Sequence, residues 1–199
     1  MGQSAGLAMG GVRPSVAMQA PKDHSPPVSV PRMQTRRLTL REYRMGDFDA
    51  FAAHLADPQA TTFVGVHDRR NAWRIFGANA GGWLLQGVGW WAVELLETGA
   101  LVGNVGAFFR ETWPEIEIGW NTFHAHWGQG IATEAAAEVV RYAFEVRREP
   151  RVTALIDPLN SASLGVAAHL GFTYEADTEL FGKTLGRYVR AAGLGGQVY

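Results

Sequence analysis

With 199 residues, 47% of them apolar and none of them cysteine, the chain is long enough for one domain with a sizeable core. The missing cysteines exclude disulfides, thiolate zinc sites and cysteine nucleophiles and fit a reducing cytoplasm, and no apolar run reaches the about 18 residues of a membrane span. The net charge of −1 combines +4 over residues 1–37 (five basic groups, one acid) with −5 over the rest (13 basic, 18 acidic), an acidic body that argues against a nucleic-acid binder and suits an amine substrate.

Residues 1–33 hold Gly, Ala, Ser, Pro and Met without a sustained period. Pro14, Pro21, Pro26, Pro27 and Pro31 block regular structure, so a flexible tail is expected there. The folded domain is expected over 34–192, with a short tail over 193–199. Alternation predicts a strand at 38–42. Asp47 opens a short helix to about Ala56, which Asp57 and Pro58 end. A second helix is expected over 69–86, broken near Gly81 and Gly82, with Trp73, Phe76 and Trp83 at helical spacing. Strands at 90–96 and 100–109 flank a hairpin turn at Glu97, Thr98 and Gly99.

Residues 115–120 alternate strictly, which predicts a strand with Glu115 and Glu117 on one face. A helix over 131–148 follows, with an apolar stripe that includes Ala135, Ala136, Val139 and Val140. Then come a short buried strand at 152–156, a helix over 161–170 closed by Gly171, and a hairpin of 172–179 with 184–190. This order describes an α/β (α+β) fold: a mixed sheet with helices on both faces.

The chemistry concentrates at the strand-to-helix junction over 123–130. Gly128 and Gly130 let the backbone approach a ligand closely. The first amides of the next helix have no internal acceptor, and with the helix dipole they form an anion site. A plain glycine-containing loop is the competing reading. No Lys followed by Ser or Thr ends the loop, and no third glycine follows at dinucleotide spacing, so it is neither of the common nucleotide motifs.

Residues 127–132, Trp-Gly-Gln-Gly-Ile-Ala, resemble the Gln/Arg-x-x-Gly-x-Gly/Ala signature of the GNAT superfamily of N-acetyltransferases. They match it at Gly130 and Ala132, with Trp127 where Gln or Arg is usual. The run from Trp127 through Ala135 is similar to the branch that contains the ribosomal-protein N-terminal alanine acetyltransferases. Two further blocks agree: Asn160 and Ser163 followed by Leu170, Gly171 and Phe172, and the opening Thr-Arg-Arg-Leu-Thr-Leu-Arg at 35–41. The resemblance covers about residues 35–190.

It implies a GNAT-like, mostly antiparallel seven-stranded sheet whose fourth and fifth strands, 115–120 and 152–156, splay apart around pantetheine. It implies acetyl-CoA as co-substrate and no metal. The amides of Gly128, Gln129, Gly130, Ile131, Ala132 and Thr133 would hold the pyrophosphate. An amide near Ile118 or Gly119 would meet the acetyl carbonyl. The acceptor would be a primary amine, on a protein N-terminus or a small molecule. That amine must be neutral to attack, so a base or a water chain takes one proton. Glu117 is the preferred base, beside the expected acetyl group and within a Glu-Ile-Gly pattern of the branch. Glu115 is the other, and mutual repulsion of the two carboxylates would raise one pKa.

The Tyr that many members carry seven residues after the Asn is Ala167 here. Ser163 is then the stand-in acid, a partner of the cofactor sulfur, or a helix cap. Asn160 either holds the fifth strand and the pantetheine amide or caps the helix that follows. His124 and His126 are expected to pack the loop, because two histidines alone make a poor metal site. His169 is placed on the cofactor side or at the surface. The early helices would wall the acceptor site, and rings among Trp73, Phe76, Trp83, Trp90 and Trp91 either line it or pack the core. A homodimer is compatible with the sequence, and neither nucleic acid nor membrane is expected as a partner. The runner-up is a non-catalytic acyl-CoA-binding sensor.

Overall fold

Alternating apolar residues fold into eight strands in a computed structural model that describes residues 28–111, 113–180 and 182–193. They are β1 (Met33–Gln34), β2 (Leu38–Arg41), β3 (Trp90–Leu95), β4 (Leu101–Phe108), β5 (Ile116–Thr122), β6 (Arg151–Ile156), β7 (Thr173–Leu180) and β8 (Lys183–Ala191). The helices are α1 (Phe48–Ala56), α2 (Arg69–Gln86), α3 (Ile131–Arg141) and α4 (Ser161–His169). One sheet results, in the order β1-β2-β3-β4-β5-β6-β8-β7. Every pairing is antiparallel except β5 with β6.

The sheet has eight strands where seven are expected, and β1 is the additional one. Met33 pairs with Leu40, is buried, and covers the outer edge of β2. Just before it, the Pro31 carbonyl accepts the Trp91 indole N–H at 2.7 Å, a partner that a buried indole requires. The remainder of the expected tail, residues 1–27, and residues 194–199 lie outside the described residues.

β5 and β6 pair at only two positions, Ile116 with Val152 and Glu117 with Thr153. Beyond them each strand follows its antiparallel neighbour instead: β5 stays with β4 and β6 with β8 over six register pairs each. The two strands separate, and the expected splay is in place between them.

The core forms where Leu38, Leu40, Trp91, Val93, Val105, Ile116 and Ile118 of the sheet meet Ala135, Ala136, Val139 and Val140 of α3. The alanines let this helix lie close to the strands. A second apolar cluster joins Phe48, Phe51 and Leu55 of α1 to Ala72 and Phe76 of α2. Burying each such large side chain contributes about 1.5–3 kcal/mol.

Two local expectations change. α2 runs unbroken through Gly81 and Gly82. Asp68 caps it by accepting the Asn71 N–H at 2.8 Å, and Gly87 ends it at φ +66°. A glycine costs a helix about 1 kcal/mol, which the buried Trp83 and its 3.1 Å bond to the Trp90 carbonyl offset. Gly82 suits the site, since a Cβ would stand 3.0 Å from the Val88 carbonyl and the backbone would have to give by a few tenths of an ångström. The helix at 131–148 is shorter, ending at Arg141 and continuing as a π turn over Tyr142–Val146.

Asp47 does not cap α1 with its side chain. It forms a buried two-pronged pair with Arg41, 2.8 Å on each side, and accepts the Arg44 N–H at 2.7 Å. Arg41 also reaches Glu94 at 2.6 Å. This network ties the start of α1 to the sheet.

Candidate active site

Local sequence places the loop between β5 and α3 as expected. Gly128 and Gly130 adopt φ +72° and +73°, a region that costs other residues about 1–2 kcal/mol. Gly130 is the residue before the first turn of α3, so the free amides of that turn open beyond it. Trp127 is half-exposed, and its indole donates to the Thr122 carbonyl at 2.7 Å. His124 packs against the Trp127 ring and meets Asp57 at 3.1 Å, which fixes the loop to the end of α1. Its expected loop-packing role holds.

At the other side of Gly130 stands Arg37, whose guanidinium lies 3.6 Å from where a Cβ would be. Arg37 donates to Glu134 from its backbone N–H at 2.9 Å and its side chain at 2.7 Å, and Thr35 adds a bond of 2.6 Å. Burial alone would raise the Glu134 carboxyl; the bonds from Thr35 and Arg37 outweigh it and hold the group below the usual carboxylate range. Arg37 thus neutralises the one acid in the first turn of α3, a task the sequence reading missed.

Two cavities meet at the splay. The larger, about 640 Å³, runs from the loop (Gly128, Gly130, Ile131, Ala132, Thr133) to Asn160, Ser163 and His169. The smaller, about 410 Å³, is lined by Glu117, Gly119, Trp90, Phe108 and Arg110. Trp120, Asn160 and Ser163, with Phe63 and Val64 of the α1–α2 connection, border both. The two cavities thus share walls where β5 and β6 part.

Glu117 lies at the last position where β5 pairs with β6 and is buried. Both its oxygens engage Arg110, one through Nε and one through Nη2 at 2.8 Å. Burial pushes the carboxyl above its usual range, and Arg110 opposes that shift. The expected repulsion from Glu115 is not the cause. Glu115 pairs with Arg151 at 3.0 Å and with Arg187, and lines neither cavity. Beyond Glu117 the edge of β5 that carries Ile118 and Gly119 has no strand partner on the β6 side.

Asn160 performs the simpler of its two expected roles: its side chain accepts the Ser163 N–H at 3.0 Å and caps α4. The Ser163 hydroxyl accepts the Trp120 indole N–H at 3.3 Å. It faces both cavities and caps nothing. His169 bonds the Gly165 carbonyl at 2.8 Å and lines the larger cavity. Of the five rings singled out in the sequence, Trp90 alone lines a cavity. Trp83 and Trp91 are core, and Trp73 with Phe76 packs on Phe48. Arg110 was missed, although pairing Phe108 with Glu117 across the β4–β5 hairpin would have placed it nearby. Among the described residues no group of three or more His, Asp or Glu is placed to hold a metal ion.

The family model described as "Acetyltransferase (GNAT) domain" matches residues 37–173, more than half of the chain and both cavities' principal walls. The chain belongs to the GNAT acetyltransferases. Among relatives of this GNAT enzyme, the uncharacterized protein YkkB of Bacillus subtilis (strain 168) is 32% identical over 165 residues, 80% of this chain and 95% of that one. An acetyltransferase from Agrobacterium tumefaciens str. C58 has a solved structure with TM-score 0.75 and 32% identity, covering 81% of this chain and 95% of that chain. RimJ of Mycobacterium smegmatis, solved in complex with CoA-disulfide, has TM-score 0.63 and 25% identity, covering 78% of this chain and 82% of that chain. No helix among the described residues of this GNAT enzyme is long and apolar enough to cross a membrane.

Proposed function

We propose that the protein transfers the acetyl group of acetyl-CoA to a primary amine by direct attack of that amine on the thioester. The observation that carries this reading is the meeting of two cavities at Trp120, Asn160 and Ser163. One cavity suits a long anionic cofactor and the other holds a buried carboxylate.

The residues present fit acetyl-CoA. Gly128 and Gly130 expose backbone without a Cβ, and the amides of Ile131, Ala132 and Thr133 meet the pyrophosphate at the positive end of α3. Gln129 adds its amide. Because Trp127 already spends its N–H on Thr122, anion binding rests on the backbone and on the neutralisation of Glu134 by Arg37. Acetyl-CoA supplies an activated carbonyl and a thiolate leaving group. The free edge of β5 presents an Ile118 or Gly119 amide to the carbonyl oxygen, where charge builds up during attack.

Glu117 takes the proton that the amine loses, directly or through one water. Its burial raises its basicity, and Arg110 holds its geometry. Ser163, oriented by Trp120, donates a hydrogen bond to the departing sulfur. Glu115, committed to two arginines away from the cavities, plays a structural part. The acceptor is a small-molecule amine or a protein N-terminus.

The test is release of CoA thiol from acetyl-CoA in the presence of a panel of amines, with the acetylated product identified by mass. Acetyl-amine formed in step with thiol supports the reading. CoA binding with no turnover on any amine would leave the acyl-CoA-sensor alternative in its place.

A further inference from the structure

The smaller cavity is a built aromatic surface. Trp90, Gly106, Phe108, Gly119 and Glu117 lie on one face of the sheet, because Trp90 pairs with Gly106, Gly106 with Gly119, and Phe108 with Glu117. Without side chains at Gly106 and Gly119, the Trp90 indole lies flat across three strands. A Cβ at Gly106 would come 2.5 Å from that ring, and one at Gly119 2.6 Å. Phe108 stacks beside the indole, 5.2 Å between centroids and 21° between planes. The Arg110 guanidinium sits 5.5 Å from the Phe108 ring and ends on Glu117. A continuous aromatic floor therefore leads to the proposed base.

The charges of the cavity are balanced. Arg110 and Lys183 stand against Glu117 and Asp157. Glu117 is already matched by Arg110, and Lys183 donates to the Phe63 carbonyl at 3.1 Å, drawing the α1–α2 connection over the cavity. A polycation would need several unmatched carboxylates, and a sugar would need hydrogen-bonding groups where the cavity has Trp90, Phe108, Leu180 and Leu185.

We infer that the acceptor is a small primary amine bearing a flat aromatic group, stacked on Trp90 with its nitrogen at Glu117. This rests on the acetyl-transfer reading and names the substrate class for it. A ring on that floor gains stacking as well as apolar burial, since offset aromatic pairs prefer contact of this kind.

The experiment uses the full chain, acetyl-CoA and four acceptors: tryptamine, spermidine, kanamycin and a peptide beginning with Ala. Tryptamine is expected to have the highest kcat/KM, about tenfold or more above spermidine. Trp90→Ala lowers kcat/KM for tryptamine about tenfold, chiefly through KM, and Trp90→Phe recovers most of it. CoA affinity, measured by calorimetry, stays the same in both variants, which shows that each is folded. Preference for spermidine, kanamycin or the peptide overturns the inference, as does a Trp90→Ala enzyme with unchanged selectivity. Tryptamine binding to the CoA-loaded protein is read separately by calorimetry. Binding that is lost in Trp90→Ala, without turnover of any amine, upholds the aromatic pocket and overturns the transfer reading alone.

Discussion

The two cavities are built by different means. The proposed cofactor side depends on main chain: two left-handed glycines and the free amides of α3, all within one short stretch of sequence. The proposed acceptor side depends on side chains drawn from β3, β4, β5, the α1–α2 connection and the β7–β8 hairpin. A backbone site tolerates change at many side chains, while a Cβ at its left-handed glycines costs about 1–2 kcal/mol of strain. A side-chain site can be retuned one residue at a time while the cofactor stays in place. This division lets one acyl donor serve many acceptors on a shared fold.

The largest effect expected from breaking the contrast is at Gly130. Gly130→Glu forces a bulky residue into φ +73° and sets a negative charge against the pyrophosphate. Calorimetric titration should find CoA binding abolished, and unchanged affinity would remove the loop from the account. Next is Glu117→Gln, which keeps the shape and loses the base. Its kcat should fall by about 10²–10⁴ with KM for acetyl-CoA little changed. As the proposed base, the carboxyl must be ionised to act, and burial holds its pKa above the usual range. The rate should therefore rise with pH through that raised pKa, and the variant should lose this limb. An unaltered pH–rate profile would dismiss Glu117 as base.

Asp47→Ala tests what both halves share, the anchoring of α1 to the sheet. It strands Arg41 in the interior without its two-pronged partner. Removing one member of a buried pair costs about 3–5 kcal/mol when nothing else meets the charge; with Glu94 still on Arg41 the loss to be read from urea unfolding is about 2–3 kcal/mol. A loss below about 1 kcal/mol, the range of exposed pairs, would show that the pair is not buried in solution.

The smallest effect is at His54 in α1, buried against Phe123 with neither ring nitrogen hydrogen-bonded among the described residues. Burial lowers its pKa. The folded state thus prefers the neutral ring. Its contribution to stability is complete above about pH 6.5, the unfolded value, and is lost as the pH falls towards the depressed folded one. His54→Phe should flatten the fall of Tm on acidification, by on the order of 2–4 °C. Parallel curves for the two proteins would contradict this.

The same contrast explains what the sequence makes legible. The strand expected at 115–120, found at Ile116–Thr122, the glycines at 128 and 130 and the cap at Asn160 are local patterns that the structure contains. Glu117 was legible as a candidate base through the Glu-Ile-Gly pattern of the family branch, since alternation puts Glu115 on the same face. Its environment was not, because Arg110 and Trp90 reach it only through the pairing of β3, β4 and β5. A two-residue spacing predicts repulsion from Glu115, yet Arg151 and Arg187, distant in sequence, hold that carboxylate elsewhere. The break expected at Gly81 and Gly82 failed for the same reason: local propensity yielded to the tertiary contacts of Trp83. Short elements such as β1, two residues long, carry too little pattern to be seen at all.

The division of labour is tested most directly by titrating CoA into Gly130→Glu and Trp90→Ala side by side, and following amine turnover in both. The account predicts that the first loses CoA binding, and that the second keeps native CoA affinity while its KM for the amine rises. Equal loss of CoA affinity in the two variants would contradict it, because the cavities would then form one site rather than two that meet at the splay.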